Sequence, residues 1–429
     1  MPKIFWLTLL FGCSVAAAPA IVITNLPSYG SSASLAGEVL EVDPATHKVA
    51  VFIYVPGAGW HSKPYCASPL TAIRADGSWT TDITTGGNDA LASRVAAFVV
   101  STNFNQPCVS GLSFLPTNVF AQALCSAVVT RQQPGTRWLS FAGYDWRVKT
   151  SAGPVGPGPN YFSDSASNIW VDAQGQLHAR ITNRSNQWQC AELVSARTFG
   201  YGSYRFELNS RVDNLNPNVV LGLFTWSDDP AYTHREIDVE CSRWGVAADP
   251  NNAQFVVQPY SPPGHLVRYA VPAGLTNSTH LFTWQNNRIA FECQRGCYSP
   301  VPAASNIVAS WAYSLAVPQT GDENVRINLW LMNGAAPTDN QEAEVVIKSF
   351  DFVPLAPASS VTLTNSSRWP DGSFHFSFKA QPDWHYTVQE STHPPLWQDA
   401  ATFLATNGLV EFFESAAEAQ KFFRAVTLP

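Results

Sequence analysis

The sequence predicts an all-β chain built from sandwiches. Helical periodicity is nearly absent. Apolar residues alternate with polar ones in short runs such as KVAVFIYV (48–55), SYRFELNSRV (203–212) and NVRINLWLMNG (324–334). Gly, Pro, Asn and Asp interrupt these runs about every ten residues, the spacing of strands joined by turns. The 429 residues are 45% apolar, which is enough for more than one large core and for two or three domains.

Taken in order, the chain begins MPKIFWLTLLFGCSVAAAPA. One Lys, an apolar run and small residues at Ala16–Ala18 read as a secretory signal peptide over 1–20, too short to stay in a bilayer. The alternative, a lipoprotein signal acylated on Cys13, fits less well because Phe11 suits it poorly. Residues 21–130 read as an immunoglobulin-sized β domain whose Trp60, Tyr65 or Trp79 could bind carbohydrate, or which could serve as a spacer. RQQPGT (131–136) reads as a polar joint, and VPLAPASS (353–360) as a second. Between them, 137–355 has the size of one large sandwich. Residues 361–429, with SFHFSFKA and HYTVQES, read as a small C-terminal β module.

The formal charge of −7 leaves no basic footprint for nucleic acid or an anionic membrane. Of eight Cys, seven remain once Cys13 departs. An odd number in an oxidising compartment leaves at least one thiol unpaired within the chain. Cys293 and Cys297, flanking a turn with Gly296, are the first candidates for a disulfide, and Cys66 with Cys108 the second. No His cluster accompanies them, so zinc is not expected.

The most informative stretch is HREIDVECSRWG (234–245). Strand side chains alternate faces, so Glu236, Asp238 and Glu240 share one face and Ile237, Val239 and Cys241 the other. The apolar face belongs to a core. Three adjacent acids repel one another and are poor strand formers, so a purely structural surface would intersperse neutral residues. Two carboxyls about 5 Å apart serve retaining glycoside hydrolysis, one as nucleophile and one as acid/base. Glu236 and Glu240 start roughly 13 Å apart along a strand. Long side chains on a concave surface can close most of that gap, and the shorter Asp238 between them can tune both.

EIDVE resembles the catalytic signature of glycoside hydrolase family 16. The likeness extends over about 138–355. WRVKTSAG…GPGPNYFSD (146–164) is similar to the family's opening strand and cleft-lip loop, and DAQGQLHARIT (172–182) to its second strand. QCAELVSARTFGYGSYRFEL (189–208) resembles the corresponding stretch of bacterial lichenases. LGLFTW (221–226), THLFTWQNNRIAFE (279–292) and INLWLMNG (327–334) resemble three further strands.

The resemblance implies a concanavalin-like β-jelly-roll domain, which the strand patterning flanks with two smaller β-sandwich-type domains. It implies Glu236 as nucleophile, Glu240 as acid/base and Asp238 as assisting carboxylate. It also suggests Glu192, Asn328, Trp330 and Trp226 as sugar-binding residues, with Gln258, Trp244 and Asn160 as further candidates. Cys190 fits the family's cysteine, but no partner occurs between 131 and 189. CSRWG replaces the usual Phe-Leu-Gly, and Val256 stands where lichenases carry a polar residue, with Gln258 able to compensate.

The regular Glu-x-Asp-x-Glu spacing resembles lichenases and xyloglucan-active relatives, whereas laminarinases, agarases and carrageenases carry an extra residue. The expectation is a secreted, monomeric, retaining endo-β-glucanase acting on β-1,3/β-1,4-linked glucan, with no required cofactor. A structural calcium ion is not readable from the sequence. Alternatives are a transglycosylase or laminarinase on the same site, or a non-catalytic carbohydrate-binding surface protein. The last predicts loss of an acid, and all three are present.

Overall fold

The computed structural model describes residues 19–297, 303–355 and most of 360–427. The expected signal peptide lies outside the described residues apart from Pro19 and Ala20, and Cys13 lies outside with it. One compact unit comprises Ile21–Val39 and Asp43–Leu355; the other is centred on Ala356–Leu428.

The large jelly roll is one mainly antiparallel sheet folded into two layers. Seven strands of its inner layer are labelled here β1 (Tyr144–Val148), β2 (Gln187–Ser195), β3 (Val219–Trp226), β4 (Ile237–Cys241), β5 (Ala253–Val257), β6 (Leu266–Tyr269) and β7 (Asn324–Leu331). They pair in the order β6-β5-β4-β3-β7-β2-β1. The outer layer runs Leu177–Arg184, Ala343–Pro354, Gly202–Leu208, Ser278–Trp284, Ile289–Arg295, Ile307–Tyr313. Leu177–Arg184 also pairs with β2, which is where the sheet turns over.

Period-two burial builds each strand. In Gly202–Leu208 the residues Gly202, Tyr204, Phe206 and Leu208 are buried, while Ser203, Arg205 and Glu207 are half-exposed. β3 departs from this pattern because it is covered on both faces, and only its last residue is partly exposed. Ile237, Val239 and Cys241 of β4 enter the core with Phe255, Phe282 and Phe291. Burying such side chains stabilises by about 1.5–3 kcal/mol each.

Within the same unit, the first residues form a three-stranded sheet (Ala20–Asn25, Leu35–Leu40, Ser78–Thr81) and a six-stranded one around His47–Val55 and Arg94–Ser101. Trp60 and Trp79 are fully buried here, so of the three carbohydrate-binding candidates only Tyr65 is exposed. Cys66 and Cys108 form a disulfide.

The 131–136 stretch, read as a polar joint, is fastened at its first residue. Arg131 is buried and donates from its guanidinium to the carbonyls of Pro27, Ser28, Ala90 and Ala92. The strand Cys125–Thr130 continues into the jelly roll through Thr130 N–H to Ala196 O (2.6 Å) and Thr198 N–H to Val128 O (3.0 Å).

The expected Cys293–Cys297 disulfide is absent, and both are free thiols. Cys293 points into the core beside Cys241, whereas Cys297 lies past the strand end near Glu207 and Lys348. The two thiols thus have different surroundings, one in the apolar core and one beside a charged pair.

In the C-terminal unit, Leu363–Arg368, Phe374–Lys379 and Leu409–Glu414 form one sheet. Ser360–Val361, Phe422–Thr427, His385–Ser391 and Gln398–Leu404 form another. Phe376, Phe378, Tyr386, Val388 and Phe412 make up its core.

Candidate active site

The acidic strand is entered through an unusual turn. Tyr232, Thr233, His234 and Arg235 all have left-handed backbone angles, with φ of 54°, 52°, 63° and 53°. Such a conformation costs an L-residue roughly 1–2 kcal/mol, so the surroundings must enforce it. Arg235 is the clamp. It is 1% exposed, pairs with Asp229 at 3.1 Å and donates through Nε to Gln319 O at 3.1 Å. Gly321 leaves room for it, since a Cβ there would lie 2.4 Å from Arg235 Nε. Thr225 Oγ1 donates to Arg235 O, and Ser227 N–H to His234 O. The chain then returns to extended geometry at Glu236 (φ −87°, ψ 120°) and β4 begins.

Glu236, Asp238 and Glu240 all line one open cavity of about 230 Å³ on the inner layer. Glu236 and Asp238 are hydrogen-bonded to each other. Gln258 Nε2 reaches Asp238 at 3.5 Å, and Gln258 N–H donates to Glu236 O. Gln254 Nε2 donates to Glu240 at 2.8 Å and is held in turn by Arg268 at 3.1 Å.

All three acids are raised above the usual carboxylate range. Burial is the first cause for each. The Glu240 charge adds to it at Glu236, and the charges of Glu236 and then Glu240 add to it at Asp238. Arg326 pulls Glu236 back, while Gln254 and Arg268 pull Glu240 back. Three carboxyls this close cannot all be ionised near neutrality, so the set titrates as a unit.

The opposite wall is assembled by register. Glu240 lies opposite Gly222, Gly222 opposite Asn328, and Asn328 opposite Glu192, forming one row across four strands. Glu192 is fully buried and paired with Lys149 (2.8 Å) and Arg326 (3.3 Å), with Asn328 Nδ2 at 3.4 Å. A Cβ on Gly222 would lie 2.4 Å from Asn328 Oδ1, so glycine keeps the floor of the row open. Trp226 stacks on His234 with centroids 4.2 Å apart, and Arg326 lies over its ring.

Among the binding candidates, Glu192, Trp226, Asn328 and Trp330 line the cavity, and Gln258 touches it through Asp238. Trp330 is only 8% exposed. Two candidates are placed elsewhere. Trp244 packs edge-on behind Trp330 at 5.9 Å. Asn160 is buried, with Nδ2 donating to Pro157 O and Leu331 O and Oδ1 accepting from Cys190 Sγ, so it braces the lip loop and has no free group for a sugar.

Lys149, Gly222, Phe224 and Arg326 line the cavity without having been singled out, and Gln254 contacts Glu240. Parity was an available signal for four of them: Gly222 and Phe224 share a face with Trp226, Arg326 with Asn328, and Gln254 with Gln258.

No protein-family model matches the chain. It is similar to a β-glucanase of Bacillus licheniformis, 28% identical over 187 residues, covering 42% of this chain and 71% of that protein. It is also similar to a β-glucanase of Bacillus subtilis (strain 168), 26% identical over 185 residues, covering 42% and 73%. A solved Bacillus licheniformis β-glucanase structure aligns over 52% of this chain and 99% of that one, with 20% identity and a TM-score of 0.37. Over part of its length the chain is thus similar to β-glucanases of two Bacillus species.

Proposed function

We propose that the protein is a retaining endo-β-glucanase that cleaves β-1,3/β-1,4-linked glucan. The observation that carries this reading is the convergence of Glu236, Asp238 and Glu240 on one open cavity walled by Glu192, Asn328 and Trp226. The relatives' name, β-glucanase, supports it.

In the first step a Glu236 carboxylate oxygen bonds to the anomeric carbon. The bond from that carbon to the leaving oxygen breaks, and Glu240 gives its proton to that oxygen. Water then attacks the same carbon, Glu240 takes the water's proton, and the bond to Glu236 breaks. Asp238, keeping its own proton, donates to Glu236 and with Arg326 favours the single negative charge there. Asn328, whose Oδ1 has no partner among the described residues, would accept from a ring hydroxyl, Glu192 would orient it through its Nδ2, and Trp226 would stack on a ring face. The Cys66–Cys108 disulfide supports export to an oxidising compartment through the N-terminal segment.

The test is release of reducing ends by the purified protein from barley-type mixed-linkage glucan, laminarin, xyloglucan, agarose and carrageenan. Mixed-linkage glucan is the expected substrate. Cleavage of laminarin alone would overturn the linkage, and inactivity on all five would overturn the enzyme reading.

Glu240, pushed up to about 7 by burial, makes a second prediction. Activity falls on the alkaline side of neutrality, as the three coupled acids lose the proton that Glu240 must donate. The folded state also keeps a proton on Glu240 that the unfolded chain releases near the ordinary Glu value. Stability contributed by this group is therefore full at pH 4 and lost as pH rises to 8. Glu240→Gln should remove most activity yet raise the thermal midpoint by a few degrees at pH 8, an effect on the order of 1 kcal/mol. At pH 4 it should change the midpoint little. Thermal scans at the two pH values check this.

A further inference from the structure

A second cavity, of about 300 Å³, lies where the N-terminal sheets meet the jelly roll. Arg326 borders both it and the acidic cavity. The two are in line across the inner layer. Asp238 lies opposite Phe224, Phe224 opposite Arg326, Arg326 opposite Val194, and Val194 opposite Arg147. Four strand spacings separate Asp238 from Arg147, roughly 19 Å. A glycan laid across the strands from the three acids therefore runs into this cavity.

Its chemistry differs from that of the acidic cavity. In a chain of net charge −7, four arginines line it, Arg94, Arg131, Arg147 and Arg326, of which Arg131 is spent on backbone carbonyls. Arg94 is engaged by Asp322 at 2.9 Å, and Arg326 by Glu192 and, at 3.4 Å, by the exposed Asp228. Arg147 is half-buried and forms no ion pair among the described residues. Burial, and then repulsion by Arg326, push it below its usual range, with Glu192 and Asp228 opposing from a distance. Two buried donors of lining residues, Trp138 Nε1 and Arg326 Nε, also lack a partner among the described residues. A half-buried cation without an ion pair and buried donors without partners are costly in a partly enclosed site unless something negative occupies it. Half-buried Trp138 and partly exposed Phe114 line the same cavity and offer faces for a sugar ring.

We infer that this seam cavity is an outlying subsite for an oxyanion carried on the glycan, a C6 carboxylate or a sulfate ester, gripped by Arg147 with Arg326 and Arg94. The preferred substrate is then an acidic β-glucan rather than a neutral one, and the N-terminal sheets take part in choosing it. This rests on the glucanase reading, since the chain must cross the three acids to reach the cavity. A planar guanidinium takes a carboxylate or sulfate through paired hydrogen bonds, and such charged contacts are the strong ones.

The experiment compares kcat/KM on neutral mixed-linkage glucan, the same glucan lightly oxidised at C6, and the same glucan lightly sulfated. The wild type is expected to favour one acidic polymer by roughly tenfold at low salt, through KM. The preference should shrink at high salt and disappear in Arg147→Gln. Preference for only the oxidised or only the sulfated polymer identifies the oxyanion. Cleavage of neutral glucan without acidic preference overturns the inference and leaves the glucanase reading standing, as does a preference that survives in Arg147→Gln. If no polymer is cut, the glucanase reading fails. Calorimetry with a glucuronic-acid-bearing oligosaccharide then reads the cavity directly, and absence of binding to the wild type overturns the inference as well.

Discussion

Glu236→Ala is expected to abolish glucan cleavage, lowering kcat by about 10⁴-fold or more, as removal of a covalent nucleophile does. The fold should survive. Glu236 lies on the cleft side of the residue that starts β4, outside the core formed by Ile237 and Val239. Its removal also relieves the charge crowding that raises Asp238. Azide should restore turnover, because a small anion can enter the space left by the carboxylate and attack the anomeric carbon. Glu240 still supplies its proton to the leaving oxygen. The azide product then carries the inverted configuration, since one displacement replaces two. Chain length of the glucan by size-exclusion chromatography with and without azide, plus proton NMR of the glycosyl azide formed, checks this. No rescue, or a product of retained configuration, removes the nucleophile's role from Glu236.

Arg235→Met should cost about 3 kcal/mol of stability and most of the activity. The substitution strands Asp229, which is 9% exposed and otherwise held by the backbone, without its cation. Breaking a buried pair from one side costs about 3–5 kcal/mol, which for a domain of this size lowers the thermal midpoint by about 10 °C. The catalytic loss has a separate origin. Four left-handed residues in a row hold Glu236 at the mouth of β4, and with the clamp gone that turn can relax and swing the carboxyl out of line. Thermal unfolding together with kcat below the midpoint separates the two effects. A variant with normal kcat at low temperature would show that the turn holds itself.

Much of this architecture was legible. Alternation predicted the strands because one-sided burial imposes a period of two, as in Gly202–Leu208. The same rule put Glu236, Asp238 and Glu240 on one face and Ile237, Val239 and Cys241 on the other.

What stayed hidden depends on registry between distant segments. That Arg326 touches Glu192, or Gln254 touches Glu240, follows from which strands pair. Cys293 looked close to Cys297 in sequence, yet it turns into the core while Cys297 lies past the strand end. Asn160 read as a sugar ligand, but its amide is consumed by carbonyls 3 and 171 residues away. The left-handed turn at 232–235 contains no glycine to announce it. The joint at 131–136 gave no sign that Arg131, its first residue, is buried and bonded to carbonyls 104 and 39 residues away.

The backbone pairing of Val128 and Thr130 with Ala196 and Thr198 bears on how the molecule can be dissected. Trimming the protein to its jelly roll would bare that stretch of amides and carbonyls. Raw strand borders of this kind recruit other chains. A shortened version would therefore tend to self-associate, and the N-terminal sheets act as its sheath.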